Sequence, residues 1–298
     1  MKAAAHTALA LALSWMAPDA RPQSPVVLVV TADASDYLLA AGGTLASMIG
    51  KGATAYVIRV TNDEKDSWDL NPEETARRTR AESEDAGRIL GVKQVISMGY
   101  RAAEMADVPF TSLRDRLIVY IRHYRPAVLF IPNPYTEYDR VLDRYYTGRA
   151  AEDAWRAASL ENFAPPFQES GLNPHVTPEV YYYAQPFDPR RRDEESTSTF
   201  VPELKIIDIG DTFDKKLKAV QALRTINHSL SMRLKQRLNS TGRKLALLDA
   251  VNEQAVNALV EENVRGLAKI GASGTGYGMA EEFRYAGVSF RIPAKYLK

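Results

Sequence analysis

Cysteine is absent from all 298 residues. Disulfides, thiolate nucleophiles and cysteine-ligated metals are thereby excluded. Histidine is scarce, with four in the chain. His6 lies in an N-terminal apolar segment, His123 ends an expected helix and His175 sits in the turn Asn173-Pro174-His175. His228, in Asn227-His228-Ser229, is the better functional candidate, set against a place at a helix end. So small an inventory argues against a zinc site built from two or three histidines. An excess of one charge is missing too: 38 Lys and Arg against 37 Asp and Glu leave +1, with no footprint for nucleic acid. The phosphate-binding patterns GxGxxG and GxxxxGK[ST] are lacking around Gly42-Gly43-Thr44, so this glycine pair reads as close packing of a helix on a strand. GxSxG is lacking as well, and Ser35 reads as a loop serine, a nucleophile only if a base stands beside it.

Long apolar runs are also wanting. Residues 3–16 form a small-residue and leucine-rich stretch after Met1-Lys2, shorter than the roughly 20 residues that cross a bilayer. One basic residue, a short apolar core and the small-residue region Ala17-Pro18-Asp19-Ala20 resemble a secretory signal peptide. Ala20 suits a cleavage site and Pro18 does not. The expected organisation is a signal peptide over residues 1–24 and one α/β domain over residues 25–298. The mature protein is expected outside the cytoplasm, periplasmic or extracellular, with no membrane span.

What is present is strand–helix alternation. Residues 26–30 are an apolar strand, followed by the acidic loop Asp33-Ala34-Ser35-Asp36 and a helix over 42–51. Strands are expected at 53–61, 94–98, 127–131, 179–184 and 205–209. Helices are expected from Asn71-Pro72 to Leu90, and at 111–124, 148–159, 212–222 and 244–267. Residues 133–146 read as a long polar and aromatic loop, and 187–198 as an exposed charged excursion. The pattern predicts a mainly parallel sheet with helices on both faces.

Asp33 and Asp36 close the first strand, where the ligand site of an open α/β sheet lies. They suit a metal or a general base, or a solvated loop that caps the next helix. Tyr135, Tyr138, Tyr145, Tyr146 and Tyr181 to Tyr183 suit carbohydrate stacking or a buried aromatic layer.

Taken in order, several segments resemble the PIG-L/LmbE family of N-acetylglucosamine de-N-acetylases. They are GGTL (42–45), RVTNDEKDSWD (59–69), ILGV (89–92), GYRAAEM (99–105), IPNPYTEYDRVLDRYYTGRAAEDA (131–154), GLNPHVTPEVYYY (171–183), INHSLS (226–231) and AEEFRY (280–285). The resemblance implies a Rossmann-like α/β fold and hydrolysis of an acetamide on an amino sugar. It also implies one zinc, which lowers the pKa of its bound water while a carboxylate takes the proton. This chain departs from that pattern. Asp33 stands at a histidine-ligand position, Ser35 at the general-base position, Val141 in place of the first histidine of the later segment, and Arg144 at its ligand position. Only Asp36 matches a zinc ligand. Losing the base costs about 10²–10⁴ in rate, and a guanidinium offers no lone pair and stays cationic. An Arg144 ion pair to Asp36 or Asp33 would fill the vacated position. The expected protein is thus a family member without zinc that binds a sugar, such as an amino sugar, or another small polar ligand. The cleft residues are Asp33, Asp36, Asp143, Arg144, Tyr138 and His228. The alternatives are a deacetylase rebuilt around Ca²⁺, Mg²⁺ or Mn²⁺ on Asp33, Asp36, Asp143 or Asp139, and a structural or interaction module. The sequence is silent on oligomeric state.

Overall fold

The computed structural model describes residues 24–135, 141–185 and 203–286. The N-terminal apolar segment, Tyr138, Asp139 and the charged segment 187–198 lie outside these residues. Among the described residues seven strands form one sheet: β1 (Val26–Thr31), β2 (Thr54–Thr61), β3 (Gln94–Tyr100), β4 (Val128–Pro132), β5 (Glu179–Tyr183), β6 (Glu203–Asp208) and β7 (Ala280–Ala286). Their spatial order is β3-β2-β1-β4-β5-β7-β6. The first five run parallel to one another. β7 runs antiparallel to both β5 and β6. The expected α/β class and mainly parallel sheet are as observed, while β7, unforeseen, runs antiparallel between β5 and the edge strand β6.

Among the described residues eight α-helices flank the sheet: α1 (Asp36–Gly50), α2 (Pro72–Leu90), α3 (Phe110–Tyr124), α4 (Leu142–Ala158), α5 (Pro165–Glu169), α6 (Phe213–Gln221), α7 (Arg224–Ser240) and α8 (Glu253–Gly271). Val27 and Val29 of β1 enter a core with residues of α1, α6 and α8. Leu28 and Val30 enter the opposite core with residues of α3 and α4. Burial on both faces explains why β1 and β4 read as unbroken apolar runs.

Three expected boundaries are corrected. α1 starts at Asp36 rather than at residue 42, because Asp33 supplies a cap to its first amides. α4 starts at Leu142 rather than at residue 148, so Asp143 and Arg144 are helical. The expected helix over 244–267 is instead the end of a longer arrangement: α7, a 3-10 turn at Ala246–Leu248, and α8. Asn252 caps α8 by accepting from the Ala255 amide, as Asn71 caps α2 through Glu74.

Two close approaches position the site. A Cβ at Gly148 would lie 2.5 Å from the Pro132 carbonyl oxygen, so only glycine lets α4 descend onto the end of β4. A Cβ at Gly43 would lie 2.8 Å from Ile209. The glycine pair therefore packs α1 closely, but against the residue after β6. α1 is held a second way. Glu281 of β7 accepts from the Gly43 and Thr44 amides at 2.9 and 2.8 Å, while Lys216 of α6 donates to Glu281 and to the Leu39 carbonyl, both at 2.7 Å. This buried pair meets the helix backbone from the side, leaving neither charge without hydrogen bonds.

Candidate functional site: an arginine among carboxylates

β1 and β4 are neighbours whose following helices lie on opposite faces of the sheet. That reversal opens a crevice at the carboxyl ends of the strands. The loop leaving β1 lines it. Thr61 holds the Ala32 carbonyl through both its amide and its hydroxyl, at 2.8 Å each. The Thr31 hydroxyl donates to the Asp33 carbonyl at 2.8 Å, and the Ala34 amide donates to Asp63 Oδ2 at 3.2 Å. The loop is thus fastened by its own backbone before any ligand arrives.

Asp33 Oδ1 accepts from the Ser35 amide, the Ser35 hydroxyl and the Asp36 amide, at 2.9, 2.7 and 2.9 Å. A carboxylate at the start of α1 also meets the positive end of the helix dipole. Its other oxygen faces Arg144, whose Nε lies 2.7 Å from Asp33 Oδ2. Arg144 Nη1 lies 3.2 Å from Asp36 Oδ1, and Nη2 lies 3.5 Å from the Ser35 hydroxyl oxygen. The Asp36 side chain is fully buried, and those of Asp33 and Arg144 are nearly so. Burial alone would push the Asp33 carboxyl up. The Arg144 guanidinium, with hydrogen bonds from Arg144 and Ser35, overcomes it and holds the carboxyl down to about 2.

The remaining expected cleft residues are placed differently. Asp143 accepts from the Ala103 and Met105 amides at 2.6 and 3.2 Å, fastening α4 to the loop after β3. Burial nonetheless raises its carboxyl, opposed by those two bonds. His228 lies in α7, half-buried, between buried Asn227 and Ser229. No hydrogen bond or ion pair joins it to Arg144 among the described residues. His175 Nε2 donates to the Pro126 carbonyl at 2.8 Å, at the opposite end of β4. Ser35 has Asp33 beside it, so its hydroxyl proton faces a carboxylate already committed to Arg144. Tyr181, Tyr182 and Tyr183 are buried in β5, which corrects the carbohydrate-stacking expectation for these three. Tyr181 stacks on Phe130, Tyr182 donates to Glu152, and Tyr183 donates to the Val30 carbonyl. Tyr135 is exposed, its hydroxyl also bonded to Glu152.

Two further carboxylates were not foreseen. Asp63, buried and with φ of 55°, accepts from Ala34, Arg59 and Thr61. Burial pushes its carboxyl up to about 7 against the pull of Arg59, and Asp33 and Asp66 add to the rise. Asp66 is raised to about 6 by burial and by Asp33, opposed by Arg233 and Arg144. The legible signal was Arg59, a full charge inside an apolar strand, which demands an acid nearby. The site therefore holds a fixed cation among acids. Burial lifts two of those acids, Asp63 and Asp66, above the usual carboxylate range.

Residues 28–155 match the family model described as PIG-L, GlcNAc-PI de-N-acetylase. A diacetylchitobiose deacetylase of Thermococcus kodakarensis is 26% identical over 198 residues, covering 65% of this chain and 67% of its own. Among solved structures, the N,N'-diacetylchitobiose deacetylase of Pyrococcus horikoshii superposes with a TM-score of 0.68 at 22% identity, covering 92% of this chain and 88% of its own. GalB, a 4-carboxy-2-hydroxymuconate hydratase of Pseudomonas putida, superposes with a TM-score of 0.56 at 22% identity, covering 76% and 92%. These likenesses show the fold. The last also shows that the fold carries more than one reaction.

Proposed function

We propose that this chain, whose residues 28–155 match the PIG-L family model, is a member of that family that keeps the family cleft without the zinc mechanism and binds a sugar or other small polar ligand there. One observation carries the reading: Arg144 reaches Asp33 at 2.7 Å and Asp36 at 3.2 Å. Zinc needs lone pairs from nitrogen, sulfur or carboxylate oxygen at about 2.0–2.3 Å. Here the guanidinium occupies the coordinating oxygens and repels a second cation. The donor set does not suit zinc.

A carboxylate site for a harder cation finds less support. Asp33 and Asp36 face Arg144, and Asp143 faces two backbone amides. Among the described residues no group of three or more His, Cys, Asp or Glu converges to hold a metal ion. The family's de-N-acetylation of amino sugars remains the source of the ligand class: an amino sugar offers hydroxyl and amide groups to a cleft rich in charged acceptors and one fixed donor. Export is part of the same proposal and rests on the N-terminal segment.

Metal analysis and activity together test it. The purified protein is expected to carry no stoichiometric zinc and to leave N,N'-diacetylchitobiose uncleaved, while calorimetry detects binding of an amino sugar. Stoichiometric zinc, or deacetylase activity abolished by Asp36→Ala, overturns it.

A further inference from the structure

The charge of this chain is balanced overall and unbalanced locally. Residues 215–248 contain nine Lys and Arg and no Asp or Glu. With a total of +1, the rest of the chain carries −8. Part of this basic segment is used internally. Lys216 is buried against Glu281, and Arg233 donates to the Lys65 carbonyl on the loop after β2. Past Arg233 the segment runs out into solvent. Arg237, Arg243 and Lys244 are exposed, and none of them forms an ion pair among the described residues.

Apolar side chains are exposed beside them. Leu230, Leu234 and Leu238 recur every fourth residue along one face of α7. Leu230 is 51% exposed, and Leu245 and Leu247 of the following turn are 39% and 38% exposed. A surface pocket there is lined by Leu238, Leu245 and Leu248 together with Lys235, Lys244 and Asp249. Lys235 donates to the Asp249 carbonyl and holds the turn against the helix. Trp68 is exposed on the loop that Arg233 pins. A solvated charged face does not explain exposed leucines, and an ordinary protein contact does not explain an acid-free stretch of this length. Cations around protruding leucines are the pattern that complements a negatively charged lipid interface. No described helix is long and apolar enough to cross a membrane, so such an association would be peripheral.

We propose that the α7 edge, with Arg237, Arg243 and Lys244 around Leu230, Leu245 and Leu247, seats this protein on an anionic phospholipid surface. Arg233 stands where this edge meets the loop carrying Asp66. Seating would therefore bring the crevice close to the lipid headgroups. The proposal does not depend on whether the crevice binds zinc.

Co-sedimentation of the full chain with vesicles tests it. Phosphatidylcholine vesicles are compared with vesicles containing about a third phosphatidylglycerol. The expected result is binding to the anionic vesicles only, weakened by salt as screening shortens. Arg237→Ser, Arg243→Ser and Lys244→Ser together should lower the partition coefficient about a hundredfold. Leu245→Ser with Leu247→Ser should lower it while leaving the salt dependence in place. Arg80→Ser with Arg88→Ser, on exposed α2 positions, should not change it. Circular dichroism checks that each variant is folded, and comparison with the parent cancels any contribution of residues 3–16. Equal binding to both vesicle types overturns the proposal, as does equal loss in the α2 variant. Polyphosphate binding the parent and the leucine variant alike, and displacing the protein from vesicles in both, would assign the surface to soluble polyanions instead.

Discussion

Arg144 Nε lies 2.7 Å from Asp33 Oδ2 across a sequence separation of 111 residues. The pair joins the first turn of α4 to the loop before α1, and Asp36 closes it from the other side at 3.2 Å. Its residues define the candidate site, and they also hold two layers of the fold together.

Arg144→Met should therefore destabilise the protein strongly. It leaves Asp33 and Asp36 buried without their cation. Removing one partner of a buried pair costs about 3–5 kcal/mol. Urea unfolding at neutral pH should show this loss, and Arg144→Lys should recover only part of it, since an ammonium cannot span both carboxylates. A loss below about 1 kcal/mol, the scale of an exposed pair, would show that the arginine is only loosely held.

The same pair sets an acid limb. Asp33 is held down at about 2 in the folded chain against an ordinary value of 3.8. A depressed carboxyl stabilises the fold above its unfolded pKa and loses that contribution as pH falls through the folded value. Stability should thus drop between about pH 4 and pH 2. In Arg144→Met this limb should flatten. An unchanged limb in thermal unfolding across that range would assign the acid sensitivity elsewhere.

Asp66 works in the opposite sense. Its carboxyl is raised to about 6 from 3.8 by burial and by Asp33. A raised carboxyl favours the fold at low pH, and that contribution disappears as pH rises from about 4 to about 6. Asp66→Asn should match the parent near pH 4 and exceed its stability at pH 7–8, by about 1–2 kcal/mol once solvent screening is allowed for. Paired melts at the two pH values check this. A variant less stable at pH 7 would mean that the Asp66 charge is required by Arg144 or Arg233.

The departures from the family pattern can be reversed. Asp33→His, Ser35→Asp and Arg144→His together restore the residue types that the resemblance places at these positions, beside the retained Asp36. The combined variant should acquire about one zinc per chain, measured by elemental analysis after dialysis, since imidazole and carboxylate supply the missing lone pairs. Failure of a folded variant to take up zinc would mean that the backbone of the crevice, and not only these three side chains, has moved away from a zinc geometry.

Lys216 and Glu281 supply a test of the scaffold itself. Glu281→Gln should lower stability by about 3–5 kcal/mol by stranding the buried ammonium. Lys216→Met with Glu281→Gln should recover part of that loss, because no charge is then buried. A double variant as unstable as the single would place the cost in the Gly43 and Thr44 amides that Glu281 receives.

Much of the fold was legible because it is local. Asn71-Pro72 and Gly91 bracket α2, and the apolar runs of β1 and β4 announce strands covered on both faces. Periodicity and caps act within a few residues, so the chain states them directly. The α4 boundary was hidden because residues 142–147 are polar and aromatic, and their helix is secured from outside by Asp143 meeting the Ala103 and Met105 amides. β7 was hidden because AEEFRYA has too weak an alternation to be read alone; it becomes a strand by pairing with β5 and β6.

By itself, then, the sequence determined the alternating α/β order, the absence of thiol chemistry and the residue types at the four positions where this chain departs from the PIG-L pattern it resembles. The sequence raised an Arg144 ion pair to Asp36 or Asp33 as an expectation; tertiary structure decided that Arg144 meets both at once, and that Asp63 and Asp66 join them. Ion pairing falls off over a few ångströms and takes no account of separation along the chain. Only packing, with Gly148 letting α4 settle on the Pro132 carbonyl, brings residues 33 and 144 within that reach.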